Sequence, residues 1–273
     1  MTKFRSIGFV ILASVAFLLI CVARQQNSMS DTMLPEASAA EPPATGFAVV
    51  ELFTSEGCSS CPSADKNLEN IADEARKSQR PIYCLSYHVD YWNQLGWTDP
   101  FSDVRYTERQ SLYAKHFKAR GVYTPQMVVN GQVEFVGSRG KDAARAIDAA
   151  VKSQAAASLQ LTAHISGNKS PAVSVTYELA GESADSVLHI ALVQRVGERD
   201  VSSGENAGRK LRHANIVRAV ITIERPESKG AQTIEAPKDF HAEDFGVIAF
   251  LQHKDTMAIS AAIGSSIEHK NPF

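Results

Sequence analysis

Two cysteines three residues apart, Cys58 and Cys61, stand between a short apolar run and an amphipathic helical pattern, and their placement constrains this chain more than any other feature. Phe47-Ala48-Val49-Val50-Glu51-Leu52-Phe53 reads as a buried parallel strand, ended by the polar residues Thr54-Ser55-Glu56-Gly57. From Pro62 to Lys77, the residues Ala64, Leu68, Ile71, Ala72 and Ala75 recur at three- and four-residue steps, the spacing of one helical face. Pro81 to Tyr87 is a second strand. Strand, helix and strand in this order predict a right-handed βαβ unit with parallel strands and both carboxyl ends on one rim. Cys58 then sits at a helix N-terminus, where the dipole lowers a thiol pKa from about 8.5 toward about 3.5–7.5. It is the expected nucleophile. Cys61, one turn on and more covered, is the expected resolving thiol, and the pair can close a Cys58–Cys61 disulfide.

Taken alone, a CxxC pair also fits half of a zinc site or an inert structural bridge. Zinc needs two further ligands, and the sequence offers neither a second CxxC nor a close histidine pair, so no metal is expected. Four cysteines in 273 residues do not make a disulfide scaffold. Cys84, inside Ile82-Tyr83-Cys84-Leu85, reads as a small buried hydrophobe. Lys plus Arg number 28 against 30 for Asp plus Glu, a net charge of -2, which provides no basic excess for nucleic acid.

The first residues read as an address. Lys3 and Arg5 precede Ile7 to Val22, in which only Gly8 and Ser14 are not apolar, so residues 1–23 are expected to be a signal peptide or an uncleaved N-terminal anchor. Cleavage sites of the small-residue kind follow Ala23 and Ala39. Leu18-Leu19-Ile20-Cys21 departs from a lipoprotein box at Ile20. Residues 24–45 read as a flexible tether, and export to the periplasm or medium is the expectation, with the membrane touched only through such an anchor.

Residues 46–157 form the predicted α/β unit, with a helical insertion at about 98–120 whose inward face is Val104, Leu112, Tyr113 and Phe117. Two apolar runs around Asn130-Gly131 predict a hairpin, and Asp142 to Ala157 a closing helix. Beyond Ala157 the period becomes two, as in Leu159, Leu161, Ala163 and Ile165, and seven strands are expected across residues 158–273. A β-sandwich-like second domain follows from that pattern.

The strand, CxxC and helix order of the N-terminal unit, with Thr124-Pro125 ahead of Met127-Val128-Val129, resembles the thioredoxin superfamily. That resemblance implies a cis Thr124-Pro125 bond facing the sulfurs, with the Thr124 backbone free to pair with a substrate. More narrowly, Glu51-Leu52-Phe53-Thr54-Ser55-Glu56-Gly57-Cys58-Ser59-Ser60-Cys61-Pro62 is similar to the bacterial secreted family of uncharacterised function called DUF1223. His88-Val89-Asp90-Tyr91-Trp92 with Leu95-Gly96-Trp97, and Gly204-Glu205-Asn206-Ala207-Gly208-Arg209 with Leu211, His213 and Asn215, extend the likeness. It implies a fold more than a reaction. The Ser59-Ser60 interior lacks proline stiffening, and its hydroxyls and N–H groups are placed to donate to a Cys58 thiolate.

His88 and Asp90 fall at the same rim, where an imidazole oriented by Asp90 can move a thiol proton; the alternative is that both pin the following loop. Tyr91, Trp92 and Trp97 read either as an apolar lip for substrate or as the small core of their own loop. The stretch from Gly204 to Asn215 reads as an Ω-like loop or a flap, and a flap over the sulfurs brings Arg209 or His213 near Cys58. The leading expectation is an exported thiol–disulfide oxidoreductase acting on protein or small-molecule thiols, with a redox partner protein and no cofactor. Two alternatives are a binding module whose CxxC is a structural disulfide, and a copper carrier using Cys58, Cys61 and His88.

Overall fold

The computed structural model describes residues 46–269 except 168–169 and 182–184. The expected signal peptide or anchor, its cleavage sites, Cys21 and the tether at 24–45 lie outside these residues. The apolar run at the start of the sequence pattern is strand β1 (Ala48–Thr54), buried along its whole length. Helix α1 (Pro62–Ser78) follows, opening on a proline whose missing N–H costs nothing in a first turn. Its inward face carries Ala64, Leu68, Ala72 and Ala75, as the periodicity predicts, but also Asp65 and Glu69. Strand β2 (Ile82–His88) runs parallel to β1, pairing Ala48 with Ile82 through Thr54 with His88.

Helix α2 (Val104–His116) occupies the predicted insertion and starts on Asp103, whose side chain accepts from the Arg105 N–H. Its buried face differs from the expected one: Val104 and Leu112 are 55% and 56% exposed, while Tyr106, Arg109, Gln110 and Tyr113 point inward. The reason is a partner that lies far off in sequence. Arg109 pairs with Glu51, a charged residue in the middle of β1, through Nε–Oε2 at 2.5 Å and Nη2–Oε1 at 2.9 Å. Tyr113, Gln252 and His189 complete the coordination of that guanidinium. Each buried charge is thereby offset by the other.

Strands β3 (Gln126–Val129) and β4 (Val133–Val136) form the hairpin expected around Asn130-Gly131, with φ of 47° and 69° at those residues. Helix α3 (Gly140–Lys152) stops short of the predicted end because Ser153 is extended, and Ala157 already opens the next strand.

All seven later strands are present: β5 (Ala157–Ser166), β6 (Ala172–Gly181), β7 (Ser186–Asp200), β8 (Lys210–Ile223), β9 (Lys229–Glu235), β10 (Phe245–His253) and β11 (Ile259–Ser266). Their assembly departs from a separate sandwich. β5, β6 and β9 form a three-stranded antiparallel sheet, whereas β7, β8, β10 and β11 continue the first sheet in the order β11-β10-β7-β8-β2-β1-β3-β4. The junction is β8 against β2, parallel, with Ser86 opposite Ile216. The cause is apolar character on both faces of the shared strands. Leu188, Ile190 and Leu192 of β7 pack toward the small sheet, while Ala191 and Val193 pack in the core that holds Tyr106 and Tyr113 of α2. A strand buried on both sides belongs in the interior of a sheet. A third core lies on the opposite face of β1, where Val50 and Leu52 meet Leu68 of α1 and Ile147 of α3. Among the described residues no helix is long and apolar enough to cross a membrane.

Candidate functional site

The site is built where β1 ends and α1 begins. Thr54 closes the strand, the chain turns through Ser55-Glu56-Gly57, and the Cys58 N–H donates to the Ser55 carbonyl at 3.2 Å. Cys61 caps α1, its carbonyl accepting from the Ala64 and Asp65 N–H groups at 2.8 and 3.0 Å. Cys58 and Cys61 are joined as a disulfide with their Cα atoms 5.4 Å apart. Both are fully buried, so Cys61 is not the more covered of the two as expected. Ser60 Oγ lies 3.3 Å from Cys58 Sγ. The Ser59 N–H is turned elsewhere, donating to the Glu205 carboxylate at 2.9 Å.

Thr124-Pro125 is a cis peptide. Because β3 pairs with β1 through Gln126 and Phe53, Pro125 falls opposite the last residues of β1. It reaches the first turn of α1 across Gly137: a Cβ there would meet Ala64 Cβ at 3.0 Å and Pro125 Cβ at 3.6 Å. The Trp92 indole donates to Thr124 Oγ1 at 2.8 Å, and its Cβ lies 3.3 Å from where a Gly57 Cβ would stand. Trp97 donates to Glu56 Oε2 at 2.8 Å, and Tyr91 OH bonds Gln110 at 3.3 Å. The polar ends of all three aromatics are thus engaged within the protein: Trp97 ties the 91–97 loop to the cysteine turn, Trp92 to the cis-proline loop and Tyr91 to α2.

Beneath that turn lies a group of buried ionisable side chains. His88, with no exposure, shares a 2.7 Å hydrogen bond between Nδ1 and Asp99 Oδ2. Asp90, expected to orient that ring, instead accepts from Thr107 Oγ1 and plays no part in it. Burial alone would raise the Asp99 pKa, but the His88 ring and the Glu56 and Phe101 N–H groups hold it below the usual carboxylate range. His213 stands with its ring centroid 4.6 Å from that of His88. Its Nε2 lies 3.4 Å from Glu56 Oε1 and its Nδ1 3.5 Å from Asp65 Oδ2. Burial would lower its pKa, yet the Asp65 and Glu56 carboxylates outweigh that and raise it to about 10. His213 is therefore a buried cation at neutral pH. Thr54 Oγ1 donates to Asp65 at 2.8 Å, linking this group back to the end of β1.

The loop between β7 and β8 is bonded to the cysteine turn. Only residues 201–209 form it, because Lys210 to Asn215 of the stretch read as a flap belong to β8. Asn206, fully buried, donates from Nδ2 to the carbonyls of Glu56 at 2.8 Å and Cys58 at 3.0 Å. Ser203 Oγ donates to the Gly96 carbonyl at 2.6 Å. Arg209 Nη1 donates to Asn206 Oδ1 at 2.8 Å, which stiffens the loop and places Arg209 behind the side chain that holds the Cys58 carbonyl. Of the residues singled out from the sequence, Cys58, Cys61, Thr124, Pro125, His88, Trp92, Trp97 and His213 are brought together, Arg209 supports them, and Asp90 and Tyr91 are directed toward α2. Glu56, Asp65, Asp99 and Asn206 were not legible as site residues. Two of them do flank the CxxC motif, and a carboxylate just before or after a cysteine turn is the signal that was available.

Among the described residues no group of three or more His, Cys, Asp or Glu side chains is arranged to hold a metal ion.

No curated protein matches the chain. Among solved structures it is similar to protein AGR_C_4864 from Agrobacterium tumefaciens, at 27% identity over 86% of this chain and 98% of that one, with a TM-score of 0.61. It also shares its fold with HBP35 of Porphyromonas gingivalis, at 14% identity over 82% and 76% of the two chains and a TM-score of 0.53. The family described as "Protein of unknown function (DUF1223)" matches residues 49–252, and this stretch holds the cysteine turn, His88, the cis-proline loop, the β7–β8 loop and His213. The chain is a member of the DUF1223 family.

Proposed function

We propose that this protein is an exported thiol–disulfide oxidoreductase whose N-terminal part, residues 46–157, is a thioredoxin-like unit. The observation that carries the reading is a cysteine pair at a helix N-terminus, backed by a buried cation, His213, and by His88, Glu56, Asp65 and Asp99. Ionisable groups gathered in a dry interior are costly, and they cluster where protons and charge must move. A substrate thiolate attacks Cys58 Sγ, forming a mixed disulfide and expelling the Cys61 thiolate, which takes up a proton. A second substrate thiolate then attacks the substrate sulfur of the mixed disulfide and releases Cys58. The substrate dithiol loses two electrons and two protons, and the cysteine pair gains them; the reverse path oxidises the pair. Export is supported by the charged and then apolar leader at residues 3–22.

The test is a pair of variants. Cys61→Ser retains the attacking sulfur without its resolver and accumulates mixed disulfides with periplasmic thiols, whereas Cys58→Ser gives none. Absence of exchange in the wild type, with no trapped species in either variant, refutes the redox reading. A second reading, in which the bridge is structural, is favoured by the burial of both sulfurs. It expects a pair that resists dithiol reduction until the protein unfolds.

A further inference from the structure

The disulfide is formed and yet wholly enclosed, so an exchanging thiol cannot reach it in this conformation. One short segment, the 201–209 loop, grips the backbone on both sides of Cys58. The 201–209 loop closes on itself through the Val201 N–H to Arg209 carbonyl bond at 2.9 Å and the Gly208 N–H to Val201 carbonyl bond at 2.8 Å. It hydrogen-bonds the site through three residues, Ser203 on Gly96, Glu205 on Ser59, and Asn206 on Glu56 and Cys58, and Gly204 packs against Gly96 and Trp97. Gly204 and Gly208, with φ of 72° and 78°, bracket the two residues that grip the cysteine turn, in a backbone conformation other residues rarely adopt. The loop is thus ordered internally, attached by a few hydrogen bonds, and flanked by positions that can turn.

We infer that the 201–209 loop is a lid, and that Glu205 is its latch, holding the Ser59 N–H until an acceptor on the incoming substrate replaces it. The N–H groups of a cysteine turn are where an approaching chain or carboxylate would bond, and the loop fills one of them with a carboxylate of its own. Asn206 inserts below and holds the two carbonyls that frame Cys58. Opening requires both grips to release. The substrates favoured by such a site carry a hydrogen-bond acceptor beside the reacting sulfur, since a bare thiol leaves the Ser59 N–H unpaired once Glu205 has moved. The lid rests on the redox reading for its purpose, but its existence can be tested without it.

The experiment measures the rate at which a neutral phosphine, tris(hydroxypropyl)phosphine, reduces Cys58–Cys61 in the folded full chain, with thiols counted by alkylation and mass. The phosphine takes up oxygen from water to become the phosphine oxide while the disulfide gains two electrons and two protons. Glu205→Ala, an exposed position, is expected to raise the rate about tenfold or more, as is Asn206→Ala. Glu205→Gln keeps an acceptor and should stay nearer the wild type than Glu205→Ala, an ordering that loss of charge alone would not produce. Rates measured in denaturant should be equal for all four proteins, which excludes an altered disulfide. Wild-type rates in both alanine variants, with the fold intact, overturn the lid. Faster phosphine reduction without any thiol exchange sustains the lid and refutes the oxidoreductase; thiol exchange at one rate in every variant does the opposite.

Discussion

Replacing His213 tests the buried charge cluster through the pH dependence of stability. The imidazolium lies 3.4 Å from Glu56 Oε1 and 3.5 Å from Asp65 Oδ2, and its pKa stands at about 10 against the ordinary 6.5. The fold therefore holds a proton that the unfolded chain releases. Its contribution is fully present below pH 6.5, declines by about 1.4 kcal/mol per pH unit above that, and is gone once the pH passes about 10. Across the window this amounts to a few kcal/mol, a large share of the roughly 5–15 kcal/mol by which domains are stable. His213→Gln leaves two buried carboxylates without their cation and should cost about 3–5 kcal/mol at pH 6. Urea denaturation of both proteins, at steps from pH 6 to 10 with the disulfide intact, gives the comparison. Cys84, whose thiol is raised to about 12 by burial, also erodes stability in the alkaline half of the window, but it does so in both proteins and cancels in the difference. The gap between the two curves should narrow steadily as the pH rises. Parallel curves would show that His213 is not the buried cation and would remove the electrostatic basis of the site.

Two further outcomes bear on the fold around that site. Arg109→Met strands Glu51 in the core and should lower stability by about 3–5 kcal/mol in urea denaturation, while the double variant Arg109→Met with Glu51→Gln should lose less than the sum of the single changes. Additive losses would mean that the two charges do not compensate each other. Cys84, almost fully buried with its thiol pKa pushed up to about 12, should escape iodoacetamide at pH 8 in the reduced native protein and react only in denaturant. Labelling of native Cys84 at the rate of a free thiol would contradict its burial in β2 within the core shared with α1.

The sequence by itself determined whatever rests on short windows. β1, α1, β2, the Asn130-Gly131 hairpin and the seven later strands were legible because period, turn residues and apolar runs are local signals. Cys58 at the start of α1 was legible for the same reason. Tertiary structure decided which charges meet, since a carboxylate does not carry its partner's address in its own neighbourhood. Glu51 and Arg109 are 58 positions apart, and their pairing turned α2 so that Leu112 faces outward and an arginine faces the core. His88 took Asp99 rather than the nearer Asp90, because the backbone after β2 carries Asp90 toward Thr107 of α2. Membership of a sheet was likewise a long-range matter: the apolar run from Val187 to Val193 marks β7 as a strand covered on both faces, but not which strands flank it, and only the assembled fold places β7 and β8 between β10 and β2. The grip on the cysteine turn depends on Glu205 and Asn206, which reach Ser59 and Cys58 across separations of 146 and 148 residues. Only the assembled sheet, which sets the β7–β8 hairpin beside the end of β1, brings that loop onto the turn.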